Sequence, residues 1–127
     1  MGIHLIAVAF GGALGSVLRY LLTLGATKLW GHGFPYGTLL VNILGGFAIM
    51  AIMTAAIERG GLSQEWRFFL ITGILGGLTT FSTFTYETVV MMQEGDFFKG
   101  FANIAISLVS VFGAAMVGIF VGKAYGV

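Results

Sequence analysis

The chain is 127 residues long, 57% apolar and only 9% charged, with 21 glycines, one proline and no cysteine. A mean hydropathy of +0.99 leaves too few charged side chains to clothe a soluble domain, whose surface needs about 25% or more of them. The net charge of +1, from six cations scattered singly, excludes a nucleic-acid partner, which requires a basic patch. The missing cysteines remove disulfides, thiolate zinc sites and thiol nucleophiles together. What remains is an all-α integral membrane protein whose partner is the lipid bilayer.

Crossing about 30 Å of hydrocarbon takes about 20 apolar residues in a helix. Four such spans are predicted, over residues 5–29, 38–57, 68–92 and 101–121, forming one four-helix transmembrane domain. Trp30 and Trp66 stand at span ends, where indole rings favour the membrane–water interface. The first span holds the cluster Gly11-Gly12-Ala13-Leu14-Gly15 and one charge, Arg19. That arginine either snorkels toward the Lys28 side or sets a positive potential along a vestibule. The second span follows Gly31-His32-Gly33-Phe34-Pro35 and carries Asn42 and Gly45-Gly46. A buried amide such as that of Asn42 must find partners for two donors and an acceptor.

The third span contains Gly76-Gly77-Leu78-Thr79-Thr80-Phe81-Ser82-Thr83-Phe84. Two glycines followed by four hydroxyl residues make the least helix-favouring stretch of any span. A break near the middle of the helix is predicted there; the alternative is an intact helix whose hydroxyls bond back to the preceding turn. Broken backbone at that depth is tolerated only inside protein or beside a water-filled cavity, and its freed carbonyls can ligate cations. Phe81 and Phe84 share a helical face. They read either as packing or as ring edges, which carry positive partial charge, turned toward an anion. Glu87 lies near the far end of the span, where pairing with a basic side chain suits it better than proton carriage. In the fourth span Ser107 and Ser110 share a face and either extend a hydroxyl track or pack with backbone hydrogen bonds, while Gly113, Gly118 and Gly122 offer small residues for close helix approach.

Orientation follows Lys and Arg near the span ends. Arg59, Arg67 and Lys123 fall on one side and Arg19, Lys28 and Lys99 on the other, three against three. Without a bias, up and down copies can coexist and pair antiparallel; the alternative is a weak preference for one orientation. An enzyme is not expected, since His4 and His32 have no ligand-type neighbours and neither a phosphate-binding loop nor a nucleophile elbow is present.

The run 76–84, with Gly15-x-x-x-Arg19-Tyr20 and Pro35-x-Gly37-Thr38-x-x-x-Asn42-x-x-Gly45, resembles the Fluc family of fluoride channels, also called CrcB. The likeness covers all four spans in length and order. It implies passive export of fluoride through two pores of an antiparallel, dual-topology homodimer, with a structural sodium ion at the dimer centre, in the bacterial inner membrane. By motif, Phe81 and Phe84 match the family's pore-lining phenylalanines and Asn42 its pore-facing asparagine. Thr80, Ser82 and Thr83 fall on the hydroxyl-bearing stretch that helps line the path, and Ser107 and Ser110 are placed more loosely beside it. Gly76 and Thr79 match the positions whose backbone carbonyls hold the sodium. Arg19 matches the vestibular arginine and Glu87 the acidic position beyond the motif. The competing readings are a small proton-coupled dual-topology multidrug exporter, which would need a titratable carboxylate well inside the bundle, and a non-transporting membrane subunit.

Overall fold

A computed structural model describes residues 1–126. Four helical crossings are present and no strand among the described residues: α1 (Gly2–Trp30), α2 (Tyr36–Glu58), a third crossing over Gln64–Gln93, and the last helix, Phe97–Gly126. The third crossing is broken. Its first half, α3 (residues 64–78), runs through Gln64–Arg67, a π-helical stretch Phe68–Leu75 and a final turn Gly76–Leu78; its second half, α4, is Phe81–Gln93. The last helix is therefore α5. Each expected span lies within its helix, and the helices run one to five residues further at each end. At about 1.5 Å per residue α1 is about 44 Å long, enough to reach through the hydrocarbon into the headgroups on both sides.

The turns are built from local chemistry. Gly31, at φ +80, closes α1 with its N–H donating to Thr27 O at 2.8 Å. Ser63 Oγ accepts the Trp66 N–H at 3.4 Å to open α3, and Asp96 Oδ1 accepts the Lys99 N–H at 3.1 Å to open α5. These side chains satisfy amide groups that a helix start leaves without intrahelical partners.

Few large side chains are buried. Val41, Leu75 and Leu78 form the centre of the core, wrapped by Leu22, Ala48, Ile52, Ile71 and Ile74. This core lies between α1, α2 and α3, directly beneath the break. Large apolar residues such as Phe10, Val109 and Phe120 are exposed, as expected where the surrounding solvent is hydrocarbon and helix association rests on close packing. Glycines make that packing. A Cβ at Gly11 would strike the Phe69 carbonyl, one at Gly15 the Ile74 carbonyl, and one at Gly77 the Gly12 carbonyl, so α1 and α3 meet backbone to backbone. On the opposite flank, Gly118 and Gly122 of α5 rest on the Phe47 and Ala51 carbonyls of α2.

The glycines are not equivalent, and a paired test follows. Gly15→Ala drives a methyl into the backbone of α3 and is expected to cost about 1–3 kcal/mol, the usual range for overpacking. Gly12→Ala meets nothing within 4 Å and should stay within about 0.5 kcal/mol of wild type. Unfolding in detergent micelles measures both, and equal losses would contradict this packing.

Candidate functional site

The break consists of two extended residues, Thr79 (φ −85, ψ 156) and Thr80 (φ −152, ψ 115). An unbroken α-helix would direct the Thr80 N–H onto the Gly76 carbonyl and the Thr83 N–H onto the Thr79 carbonyl. Neither bond forms. The Thr80 N–H donates to Asn42 Oδ1 at 2.8 Å, and the Thr83 N–H donates to Thr80 Oγ1 at 3.1 Å. Asn42 Nδ2 donates in return to the Thr80 carbonyl at 3.1 Å. The carboxamide thus pairs with both polar groups of one residue, and the Gly76 and Thr79 carbonyls are relieved of their helical donors.

Neighbouring contacts hold the two threonines in place. Thr79 Oγ1 donates to the Leu75 carbonyl at 2.9 Å, which fixes its rotamer and turns its methyl toward Gly45. A side chain at position 45 would collide with that methyl, so Gly45 and Asn42, three residues apart on α2, together seat the break. Thr80 is buried, and its hydroxyl lies 3.3 Å from Ser82 Oγ.

The break opens onto a groove of about 460 Å³ whose wall includes Asn42, Gly76, Thr79, Thr80, Phe81, Phe84 and Ser107. The Phe81 and Phe84 rings stand 5.5 Å apart, tilted by 49°, and Phe81, one of the lining residues, is 76% exposed. At the far wall Ser107 Oγ donates to Asn103 Oδ1 at 3.4 Å, Asn103 Nδ2 to Thr88 Oγ1 at 2.9 Å, and Thr88 Oγ1 to the Phe84 carbonyl at 2.7 Å. This relay ties the groove wall on α5 to the backbone carrying Phe84. Gly76 and Thr79, whose carbonyls the break relieves of helical donors, therefore line the same space as Phe81, Phe84 and Ser107, beside the N-terminus of α4, the positive end of a helix dipole.

A family model described as CrcB-like protein, Camphor Resistance (CrcB) matches residues 6–119. The chain belongs to the CrcB family. Among its curated relatives is a protein of Hydrogenovibrio crunogenus, 45% identical over 97% of this chain and 93% of the relative. One from Clostridium perfringens is 48% identical over 80% and 79%, and one from Geobacter sulfurreducens 48% identical over 82% and 84%. Each of the three is named "Fluoride-specific ion channel FluC".

Of the residues singled out in this CrcB sequence, Asn42, Gly76, Thr79, Thr80, Phe81, Phe84 and Ser107 meet at the groove. Ser82 and Thr83 are exposed on the first turn of α4 without lining it. Ser110 Oγ donates to the Ile106 carbonyl of its own helix and lies outside the lining. Arg19 is half-buried on α1 and lines neither this groove nor the second cavity. Glu87 borders that second cavity, of about 370 Å³, with Thr38, His32 and Glu94, and its Oε1 is buried with no hydrogen-bond partner among the described residues. Asn103 and Thr88 receive no role from the sequence; an asparagine four residues before Ser107, on the same helix face, was the available signal.

Thr80 Oγ1 caps α4, so Thr80→Val is expected to lower stability by about 0.5–2 kcal/mol, the usual cost of losing an N-cap. Thr80→Ser keeps the oxygen and should lose less. Micellar unfolding of the two variants gives the comparison, and identical losses would mean that the cap contributes nothing.

Proposed function

We propose that the groove at the broken helix is one face of a fluoride-selective path. The chain is a fluoride channel of the CrcB family, not an enzyme, and a multi-pass protein of the bacterial inner membrane. The observation that carries this reading to particular residues is the convergence of Phe81, Phe84, Asn42 and Ser107 on one space, in a chain whose relatives are named fluoride-specific channels. The proton-coupled exporter finds no such support.

Fluoride is small and strongly hydrated, so a selective path replaces its water with donors yet holds it weakly enough to release it. Phenyl edges supply positive partial charge without a full cation, and the Ser107 hydroxyl can serve an anion by swinging its hydrogen away from the long 3.4 Å contact to Asn103 Oδ1. A ring of buried Lys or Arg would bind more tightly and discriminate less. Thr80, Ser82, Thr83 and Ser110 are proposed as the flanking hydroxyls of this path, with Arg19 and Glu87 at its vestibules. Flow is passive: the membrane potential drives the anion out of the cytoplasm.

We further propose that the groove is completed by a second, antiparallel copy. Carbonyls stripped of their helical donors cannot face lipid, because each unsatisfied group in hydrocarbon costs several kcal/mol. The three-against-three split of Lys and Arg favours neither insertion, which supports dual topology and a pore on each side of the pair. The released Gly76 and Thr79 carbonyls fit a hard monovalent cation such as sodium, since oxygen ligands suit it and no side-chain carboxylate is needed. When bound, the ion supplies fixed positive charge beside the path.

Three measurements test these statements. Purified protein in potassium-loaded liposomes with valinomycin should release fluoride rapidly while excluding chloride; sealed vesicles without fluoride release would overturn the function. Phe81→Ile or Phe84→Ile should depress that flux about tenfold or more with the dimer intact, a loss of at least ~1.4 kcal/mol in barrier terms, and wild-type flux from both would refute the ring-edge role. A cysteine placed beside Lys28, or separately beside Arg59, should be labelled from both sides of the membrane; one-sided labelling of each rejects dual topology.

A further inference from the structure

Asn42 does more in this fold than face a path. An extended residue points its N–H and C=O toward the same side, as in a hydrogen-bonded pair of strands, whereas a helical residue points them in opposite directions along the axis. A side-chain amide offers one acceptor and one donor side by side. Asn42 can therefore engage both groups of Thr80 only while Thr80 is extended, and the observed pair, 2.8 Å to the N–H and 3.1 Å to the carbonyl, is that arrangement. The same N–H is the donor that an unbroken helix would give to Gly76. Asn42 and the Gly76 carbonyl thus compete for one hydrogen, and in this fold Asn42 holds it.

We infer that Asn42 is a positioning residue for the cation site: by capturing the Thr80 N–H it keeps the break open and leaves the Gly76 carbonyl available as a ligand. The inference rests on the sodium reading above. It couples two parts of the channel through one side chain, because the amide that borders the groove also sets the backbone that would hold the ion. The coupling has a direction. Cation on the Gly76 carbonyl removes the competing acceptor and strengthens the Asn42–Thr80 pair, and loss of the Asn42 amide loosens the break, so that the Thr80 N–H opens to exchange and reaches the Gly76 carbonyl only part of the time, which weakens cation binding.

The test uses the full-length protein in micelles with 15N-threonine, reading amide exchange by NMR and melting temperature against Na+ concentration at constant ionic strength. In wild type the Thr80 amide should be protected, and Na+ should raise the melting temperature. Asn42→Ala should speed Thr80 exchange about tenfold or more, as expected for loss of about one charge-free buried hydrogen bond and its partner. The Thr85 and Thr88 amides, inside α4, should be unaffected. The Na+ concentration giving half the stabilisation should rise about tenfold, a shift that general loss of packing would not produce. An unprotected Thr80 amide in wild type overturns the inference even if the variant fails to fold. So does unchanged Thr80 exchange in Asn42→Ala, or an unchanged Na+ midpoint once Thr80 is released. A wild-type melting temperature indifferent to Na+ overturns the sodium reading itself, and the Thr80 exchange rates tell that failure apart from failure of the Asn42 pair.

Discussion

Every backbone polar group in the hydrocarbon region needs a partner from the protein, and the break in the third crossing is where this chain meets that demand without helical bonds. Two side chains do the work. Asn42 takes both groups of Thr80, and the Thr80 hydroxyl takes the Thr83 N–H. Measured gains from interhelical hydrogen bonds in membranes are about 0.6 kcal/mol on average, whereas leaving the same groups bare costs several. The bonds are therefore better understood as preventing a loss than as supplying stability.

That requirement propagates outward. For Asn42 to reach Thr80, α2 must lie against α3, and Gly45 clears the space that the Thr79 methyl occupies. For α3 to stay in register while its winding loosens to π over Phe68–Leu75, it leans on α1 through Gly11, Gly15, Gly73 and Gly77. The glycine excess that marks the composition is thus divided among distinct tasks: backbone contact with α1, clearance for Thr79, seating of α5 on α2, and, at Gly76, an open surface where a Cβ would meet only the Ile71 carbonyl at 3.7 Å.

Much of this was legible in the sequence because the relevant signals are local. Apolar run length gives the four crossings, and the Gly76-Gly77 pair followed by hydroxyl residues marks the stretch 76–84 in which the break falls, at Thr79–Thr80. The π winding was not legible, since Phe68–Leu75 is apolar apart from Thr72 and Gly73, and neither of these distinguishes one helical pitch from another. The serine track was legible only in part. Ser107 reaches the groove because Asn103 gives its hydroxyl a buried partner, whereas Ser110, one turn on, has only its own helix carbonyls to bond and turns back to Ile106. The Asn103–Thr88 bond joins residues fifteen apart on different helices, which no spacing rule within one helix can register.

If the groove is the anion path proposed above, a weakly charged chain suits it. Arg19, the one cation well inside a span, does not line it. In the proposed path the positive character comes from partial charges: the edges of the Phe81 and Phe84 rings and the start of α4. Partial charges compensate an anion's lost hydration by an amount that can be matched closely, so the ion is neither excluded nor trapped. A cation held by carbonyls on the same backbone would add a fixed charge at a distance set by covalent geometry rather than by a flexible arginine stem. On this view the break separates the two electrostatic tasks in space while keeping them one residue apart in sequence: carbonyls at Gly76 and Thr79 for the cation, rings at Phe81 and Phe84 for the anion. Thr80 stands between them, with Asn42 holding it extended.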